Sequence, residues 1–211
     1  MKIANMHRGI ILSIGLLTTL ALTVPPAGAQ ARKANAPRPA DSTAFRNKIN
    51  IKRIDGIGSA ARIKTPEYSV SISENLVNTR DWARVLVQFE TFADWIDALE
   101  FRFFVQTQNQ RSKLELRFLG DFTYVDIPKG KQHLSSVFLR PNTFERYGDI
   151  IGIAVEVYAN GELVATASNP EAPRGWWRTP TIKEVSGVLL ERSQTPFAFV
   201  AYDAYVTAKP R

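Results

Sequence analysis

The stretch DIIGIAVEVYANGELVATAS, residues 149–168, decides the fold class. Two segments rich in β-branched residues flank the pair Asn160-Gly161, which readily takes the positive φ values of a type I′ turn. The pattern predicts a β-hairpin with strands over Ile151–Tyr158 and Glu162–Ala167. Because such a short loop joins antiparallel strands, the hairpin indicates an antiparallel sheet.

The alternation seen in this hairpin recurs along most of the chain. Apolar residues that alternate with polar ones are typical of strands with one buried face. The other segments that predict strands are NKINIKRI (47–54), YSVSIS (68–73), ARVLVQFE (83–90), LEFRFFVQT (99–107), KLELRFLGDFTYVDI (113–127) and PFAFVAYDAYVTA (196–208). Together with the hairpin they predict one all-β domain over residues 46–211.

The segment 113–127 makes specific predictions about side-chain orientation. Its alternation places Leu114 and Phe118 toward the core and Arg117 toward water. Gly120 interrupts the run and predicts a bulge or a bend.

Helical patterns are short by comparison. TFADWIDAL, residues 91–99, has apolar residues at spacings of three and four after a potential cap at Thr91, which predicts one or two helical turns. A strand at His133–Arg140 and a helical turn at Thr143–Tyr147 are predicted next. About seven to nine antiparallel strands with one or two short helical turns favour a β-sandwich.

The N-terminal residues 1–29 have the pattern of a secretory signal peptide. A basic start with Lys2 and Arg8 precedes a 16-residue apolar stretch, and small residues at Ala27 and Ala29 give a cleavage site. The apolar stretch is shorter than the roughly 20 residues that span a membrane. We therefore expect export to the periplasm, the outer membrane or the cell surface, with no stable membrane span after processing.

Residues 30–45, QARKANAPRPADSTAF, predict a flexible segment between the leader and the domain, because they mix Pro, Ala and charge without an apolar period. The alternative is a segment that docks on a partner as an added strand. The net charge of +7 falls by two when Lys2 and Arg8 leave with the leader. The remaining basic residues are dispersed, so the sequence argues against a nucleic-acid partner.

Catalytic residue types are scarce. The chain has no cysteine and two histidines, of which His7 leaves with the leader. The remaining His133 is expected to be a surface residue, since the nearby Ser135 and Ser136 do not have the geometry of a Ser-His-Asp triad in a strand, and one histidine cannot build a zinc site. Asp94 and Asp97 would share a face if residues 91–99 were helical, but acids on a polar helix face are commonplace. We therefore predict a protein that is not an enzyme and has no catalytic residue, metal site or cofactor.

The segment APRGWWRTP, residues 172–180, is the candidate binding site. If it is extended, Trp176 and Trp177 point to opposite sides, so that one caps the core and the other points outward. The sequence leaves open which tryptophan is exposed. Trp and Arg are frequent in interfaces, and the predicted partner-binding residues are Trp176, Trp177, Arg174, Arg178 and Tyr147.

Three segments resemble a known group of proteins: DWARVLVQFET (81–91), ADWIDALEFRFFVQT (93–107) and YANGELVATASNPEAPRGWW (158–177). With the leader and the absence of cysteine, the chain resembles the small exported immunoglobulin-like proteins associated with type IV pilus-like gene clusters of verrucomicrobial gut bacteria. The resemblance implies an immunoglobulin-like β-sandwich with a non-catalytic role in envelope assembly, adhesion or host interaction. It transfers no ligand-binding residue.

The leading hypothesis is a module that binds envelope or pilus-like proteins. The alternative is a carbohydrate-binding module that uses the Trp and Arg residues of the 172–180 segment as a platform for glycans. An exposed edge strand, at the N-terminal INIKRI or at Phe197–Val206, offers a third way to bind a partner.

Overall fold

A computed structural model describes residues 45–66 and 79–210. This part of the chain is mostly β-structure, with one α-helix and several short 3₁₀ turns. The strands are β1 (Ile49–Asp55), β2 (Arg62–Lys64), β3 (Asp81–Gln108), β4 (Glu115–Leu139), β5 (Asp149–Ala159), β6 (Glu162–Asn169), β7 (Lys183–Ser186), β8 (Leu190–Glu191) and β9 (Thr207–Ala208), and helix α1 covers Pro141–Tyr147. No helix within these ranges is long and apolar enough to cross a membrane.

The long hairpin of β3 and β4 organises the fold. These strands have 28 and 25 residues, and their pairing shifts register near Thr91 and Trp95. The start of β3 pairs with β1 and β2, and the end of β4 pairs with β8; we call this part the first half-sheet. The other half of the hairpin pairs with β5, β7 and β9, and β5 pairs with β6; this is the second half-sheet.

Both half-sheets contribute to one hydrophobic core. Phe89 from the first and Phe101 from the second have ring centroids 5.0 Å apart, so the inner faces pack against each other. Val85 and Val87 are buried as predicted. The result is an all-β, sandwich-like fold, which confirms the predicted fold class. One pairing differs from the antiparallel expectation, because β7 runs parallel to β4.

The predicted hairpin over residues 149–168 is confirmed. β5 and β6 pair through Ala159 and Glu162, next to a turn with φ of 51° at Asn160 and 82° at Gly161. Both values lie in the region that a type I′ turn requires. The predicted strand at 133–140 and the helical turn at 143–147 are also present, as the end of β4 and as α1.

The predicted helix at 91–99 is wrong, because these residues form the middle of β3. Ile96 and Leu99 are both buried, which produces the three-residue spacing, while Phe92 and Trp95 are exposed. The register between β3 and β4 shifts twice between Phe89 and Trp95, and Asp126 of β4, which lies between the partners of Ile96 and Ala98, has a φ of 54°. An irregular strand can bury residues three apart and so imitate a helical period.

Other predictions also differ from the structure. Arg117 is fully buried and Leu114 is exposed, the reverse of their expected exposure to water. The pairing of β3 and β4 continues without a register shift past Gly120, where an added Cβ would lie 2.7 Å from the ring of Phe122. This close approach explains the glycine without a bulge. The predicted strand at 196–208 is mostly turns, with only Thr207–Ala208 in β9, and the predicted strand at 68–73 lies outside the described residues.

Candidate binding surfaces

Two aromatic segments cover the outer faces of the sandwich. Residues 170–180, the tryptophan segment, pack on the second half-sheet, where Trp177 contacts Phe104 and Ala154. Residues 192–206, the C-terminal segment, pack on the first half-sheet, where Phe197 stacks on Phe138 with ring centroids 5.0 Å apart. Because the inner faces of the half-sheets face each other, these two outer surfaces point away from each other.

The tryptophan segment is a 3₁₀ turn at Trp176–Arg178 and not the extended chain that was expected. Trp177 is buried, and its indole N–H donates to Oε1 of Glu156 at 2.9 Å. Trp176 is half-buried, and its N–H donates to the carbonyl oxygen of Pro170 at 3.1 Å. Trp177 is therefore the tryptophan that packs into the protein, and Trp176 is the one that remains partly accessible to a partner.

Glu156 is the first anchor of the tryptophan segment. Its side chain is buried on β5 and accepts hydrogen bonds from Trp177, from Nε of Arg178 at 2.8 Å and from the hydroxyl of Tyr158 at 2.7 Å. Burial alone would raise the pKa of Glu156, but these hydrogen bonds and the Arg178 charge outweigh it and lower the pKa. Arg178, predicted to bind a partner, is therefore engaged within the protein.

Arg117 is the second anchor, and sequence reasoning missed it. Its fully buried guanidinium donates to the carbonyl oxygens of Trp176 at 3.2 Å and Thr179 at 3.0 Å, and to Oε1 of Glu184 at 3.0 Å. A buried guanidinium with three acceptors fixes the backbone on which the tryptophans sit. The only sequence signal is an arginine at an outward position of a strand, which is typical of solvent-exposed residues.

The remaining predicted site residues lie apart. Arg174 is exposed beside the two tryptophans. Tyr147 is half-buried at the end of α1, with its ring 5.5 Å from that of Phe118, on the core side of the second half-sheet. Among the described residues, the arginines that lie over aromatic rings contact Phe or Tyr rather than either tryptophan. The structure therefore brings Arg174, Trp176, Trp177 and Arg178 together and leaves Tyr147 on the opposite face.

A groove of about 300 Å³ opens beside Trp176, and we call it the tryptophan groove. The six-membered ring of Trp176 lies directly over Gly152, where an added Cβ would be 2.8 Å from the indole. None of the lining side chains is charged: they are Gln106, Ile151, Gly152, Pro170, Ala172, Pro173, Trp176, Thr179, Thr181 and Ile182. The groove therefore suits an uncharged group that packs on an aromatic and aliphatic wall.

The C-terminal segment is held by Arg192. Its buried guanidinium donates to the carbonyl oxygens of Phe197 at 3.3 Å and Val200 at 3.1 Å. The same group lies over the rings of Tyr202 and Tyr205, at 5.3 and 4.5 Å from their centroids. These contacts hold residues 197–205 as a set of turns and explain why the strand expected here does not form.

Beyond this anchor, residues 199–202 form an apolar tip. Phe199 is 79% exposed, Tyr202 60% and Val200 41%, and Ala201 reverses the chain with φ of 49°. Large side chains in such a compact turn form an exposed hydrophobic surface, which is typical of an interaction site. A sequence signal was available, because FAFVAY has no polar residue between its large ones, unlike a strand with one solvated face.

His133 is not the surface residue that was predicted. It is half-buried where the register between β3 and β4 shifts, 5.2 Å from the ring of Phe89. The hydroxyl of Thr91 donates to the carbonyl oxygen of Pro128 at 2.7 Å, so Nε2 of His133, 3.1 Å away, is the donor to Thr91. Burial lowers the pKa of His133. His133 therefore links β4 to β3 at the register shift.

The acids considered for catalysis lie on β3. Asp94 and Asp97 are both exposed, and Asp94 lies 3.8 Å from Nζ of Lys129. Because these residues form a strand, they do not share a helix face. Within residues 45–66 and 79–210, no group of three or more potential metal-binding side chains comes together.

The fold and these surfaces define an all-β, sandwich-like protein whose two outer faces carry aromatic segments. A family model matches residues 42–211, and the chain belongs to that family. The chain is similar to a protein from Akkermansia muciniphila known from a crystal structure, with 25% identity and a TM-score of 0.67, over 78% of this chain and 94% of that one. No curated protein matches the chain.

Akkermansia muciniphila is a verrucomicrobial gut bacterium, so this part of the expected resemblance is confirmed. The association with pilus-like gene clusters stays a prediction.

Proposed function

We propose that this protein is an exported, non-enzymatic immunoglobulin-like module that acts by protein–protein contact in a pilus-like or cell-envelope assembly or in host interaction. The observation that carries the proposal is the apolar tip, where Phe199 is 79% exposed and Tyr202 60%. Exposed aromatic side chains at the centre of a contact supply much of the binding energy in protein interfaces.

The anchoring of the tip supports a role in binding. Arg192 holds the carbonyl oxygens of Phe197 and Val200, so the backbone below Phe199 is already ordered before a partner arrives. A preorganised loop loses less conformational entropy on binding than a flexible one. The tip therefore presents Phe199 as a fixed anchor.

The expected location supports the same proposal. The N-terminal pattern of a signal peptide favours a role at the cell envelope. An exported protein of this kind meets envelope proteins and host glycoproteins as its partners.

The test is photo-crosslinking in cells that express the full chain. A photoreactive phenylalanine analogue at position 199 is expected to capture a defined envelope protein, and the same analogue at Phe92, which is 45% exposed, serves as the control. The captured protein should bind the purified chain and lose that binding with Phe199→Ser. Equal capture from both positions, or from neither, would contradict the proposal.

A carbohydrate-binding role is a second candidate, favoured by the tryptophan groove. Trp176 is held in place by its N–H bond to Pro170 and by its contact with Gly152, and Gln106, Thr179 and Thr181 supply polar groups beside it. A fixed aromatic wall with uncharged polar neighbours suits a neutral sugar ring.

Calorimetry with neutral mucin glycans tests this second candidate. Binding is expected for the natural protein and for Trp95→Ala, which removes a 66% exposed tryptophan elsewhere, but not for Trp176→Ala. Heat signals that are the same in all three proteins would count against the groove as a glycan site.

A further inference from the structure

We infer that the protein associates with itself head to tail, with the apolar tip of one copy seated in the tryptophan groove of a second copy. The inference rests on the proposed function and deepens it, since it names a second copy of the chain as the partner of the tip. Three observations support it: the apolar tip is uncharged and projects from the surface, the tryptophan groove is uncharged, and the two lie on different surfaces of the molecule.

The apolar tip has a shape that can enter a groove. Phe199 projects from a turn closed by Ala201, and small residues, Ala198 and Ala201, lie on either side of the Phe199-Val200 pair. Residues 196–202 carry no charge. Burying Phe199 in an apolar site would remove most of its large exposed surface from water without stranding a charge.

The tryptophan groove has the matching chemistry. Its walls are the indole of Trp176, two prolines and the side chains of Ile151 and Ile182, and none of the residues that line it is charged. An aromatic ring that enters it can pack against the indole, and such ring pairs add to the energy of burial. The same wall that suits a sugar ring thus also suits Phe199.

The charges next to the two features are complementary. Asp203 follows the tip directly and Arg174 precedes Trp176 by two residues; both are exposed, and neither forms an ion pair within residues 45–66 and 79–210. Glu171, the acid in the tryptophan segment, lines a different groove between β1 and β6. A second copy can therefore bring Asp203 toward Arg174 as Phe199 enters the groove.

The positions of the tip and the groove determine the type of assembly. The tip lies on the outer surface of the first half-sheet and the groove on that of the second, and these surfaces point away from each other. The contact thus joins different molecules and uses two different surfaces. A heterologous contact of this kind leaves a free tip and a free groove at the ends, so it extends into a chain unless the rotation closes a ring.

The test mixes two variants of the full chain, each with one surface removed. Phe199→Ser removes the tip, and Thr181→Arg places a charge in the groove; both residues are exposed, so the fold should be retained. In sedimentation velocity, the natural protein should grow beyond a dimer with rising concentration. Each variant alone should associate about thirtyfold more weakly, the effect expected for the loss of a central aromatic anchor.

The mixture gives the decisive outcome. Equal amounts of the two variants should form a one-to-one complex and nothing larger, because the intact groove of one copy accepts the intact tip of the other. Phe92→Ser, the matched change at another exposed phenylalanine, should assemble like the natural protein. A charge exchange provides a second readout: Arg174→Asp and Asp203→Arg should each weaken assembly, and the double variant should recover part of it.

Three results would overturn the inference: a natural protein that stays monomeric at all concentrations, a mixture that stays monomeric, or Phe199→Ser that associates as tightly as the natural protein. If assembly fails while position 199 still crosslinks a different envelope protein, the inference falls and the proposed function stands. If position 199 also captures nothing specific, both fall.

Discussion

The tryptophan segment and the C-terminal segment are attached to the sandwich in the same way, but they differ in whether a large aromatic side chain is left exposed. Each covers an outer face of the sandwich, and each is held by a buried arginine, Arg117 or Arg192, that donates to two backbone carbonyl oxygens. In the first segment the largest ring, Trp177, is buried and hydrogen-bonded to Glu156. In the second, Phe199 is left outside.

The charges under the two segments explain part of this difference. Arg117 forms an ion pair with Glu184, and Glu156 accepts hydrogen bonds from the side chains of Trp177 and Arg178. The tryptophan segment is therefore held through its side chains as well as its backbone. Arg192 holds backbone oxygens and tyrosine faces, which leaves the side chain of Phe199 free. Aromatic content alone therefore does not locate a binding surface. An aromatic side chain is available to a partner only where it is not packed or hydrogen-bonded within the protein.

The largest effect is expected at Arg117. Arg117→Ala removes a fully buried guanidinium and leaves two backbone carbonyl oxygens and Glu184 without their donor, so we expect a loss of about 3 kcal/mol in the free energy of unfolding. Denaturant unfolding followed by tryptophan fluorescence measures it. Arg174→Ala, an exposed arginine in the same region, is the control and should stay within about 0.5 kcal/mol. A similar small value for Arg117→Ala would mean that it does not anchor the segment.

Arg192→Ala is expected to have the next largest effect. Two charge-assisted hydrogen bonds to backbone oxygens are lost, and we expect about 2 kcal/mol of destabilisation. Hydrogen exchange should speed up in residues 196–204 and stay slow in 170–180, because the two segments have separate anchors. Faster exchange in both segments would show instead that they are coupled through the core.

Glu156→Gln should produce a smaller and pH-dependent effect. The pKa of Glu156 is lower in the folded state than the unperturbed value of about 4.3, so its contribution to stability is present above that pH and is lost as pH falls through the folded pKa. The variant should be about 1 kcal/mol less stable at pH 7. It should also show a flatter loss of stability below about pH 4.3. Parallel pH curves for the two proteins would rule out this linkage.

Sequence reasoning succeeded where local chemistry decides the structure. Asn160-Gly161 specifies its turn through backbone preference alone, and the strands beside it follow. Sequence reasoning failed where contacts with residues far along the chain determine the burial of a side chain. The acceptors of Arg117 in the tryptophan segment lie 59 and 62 residues further along the chain, so an outward strand position looked solvent-exposed.

The other failures have the same origin. Ile96 and Leu99 have a helical spacing in the sequence, but their pairing with Ile127 and Tyr124 of β4 makes this region a strand. The turns after Phe197 depend on the hydrogen bonds of Arg192, and the sequence pattern does not indicate these bonds. For the candidate site, the sequence located the tryptophan segment but not the arrangement within it, and it interpreted the apolar tip as a strand.

The smallest effect on stability is expected at Phe199. Phe197 and Phe199 are two residues apart in the same segment, but Phe197 is 4% exposed between Phe138 and Trp82, whereas Phe199 is 79% exposed. Phe197→Ala should cost about 3 kcal/mol, while Phe199→Ala should stay within about 0.5 kcal/mol in thermal or denaturant unfolding. A large loss with Phe199→Ala would mean that this ring supports the fold and is not held out for a partner. A protein that unfolds normally but no longer associates would show that the C-terminal segment uses one phenylalanine to attach itself and the other to bind.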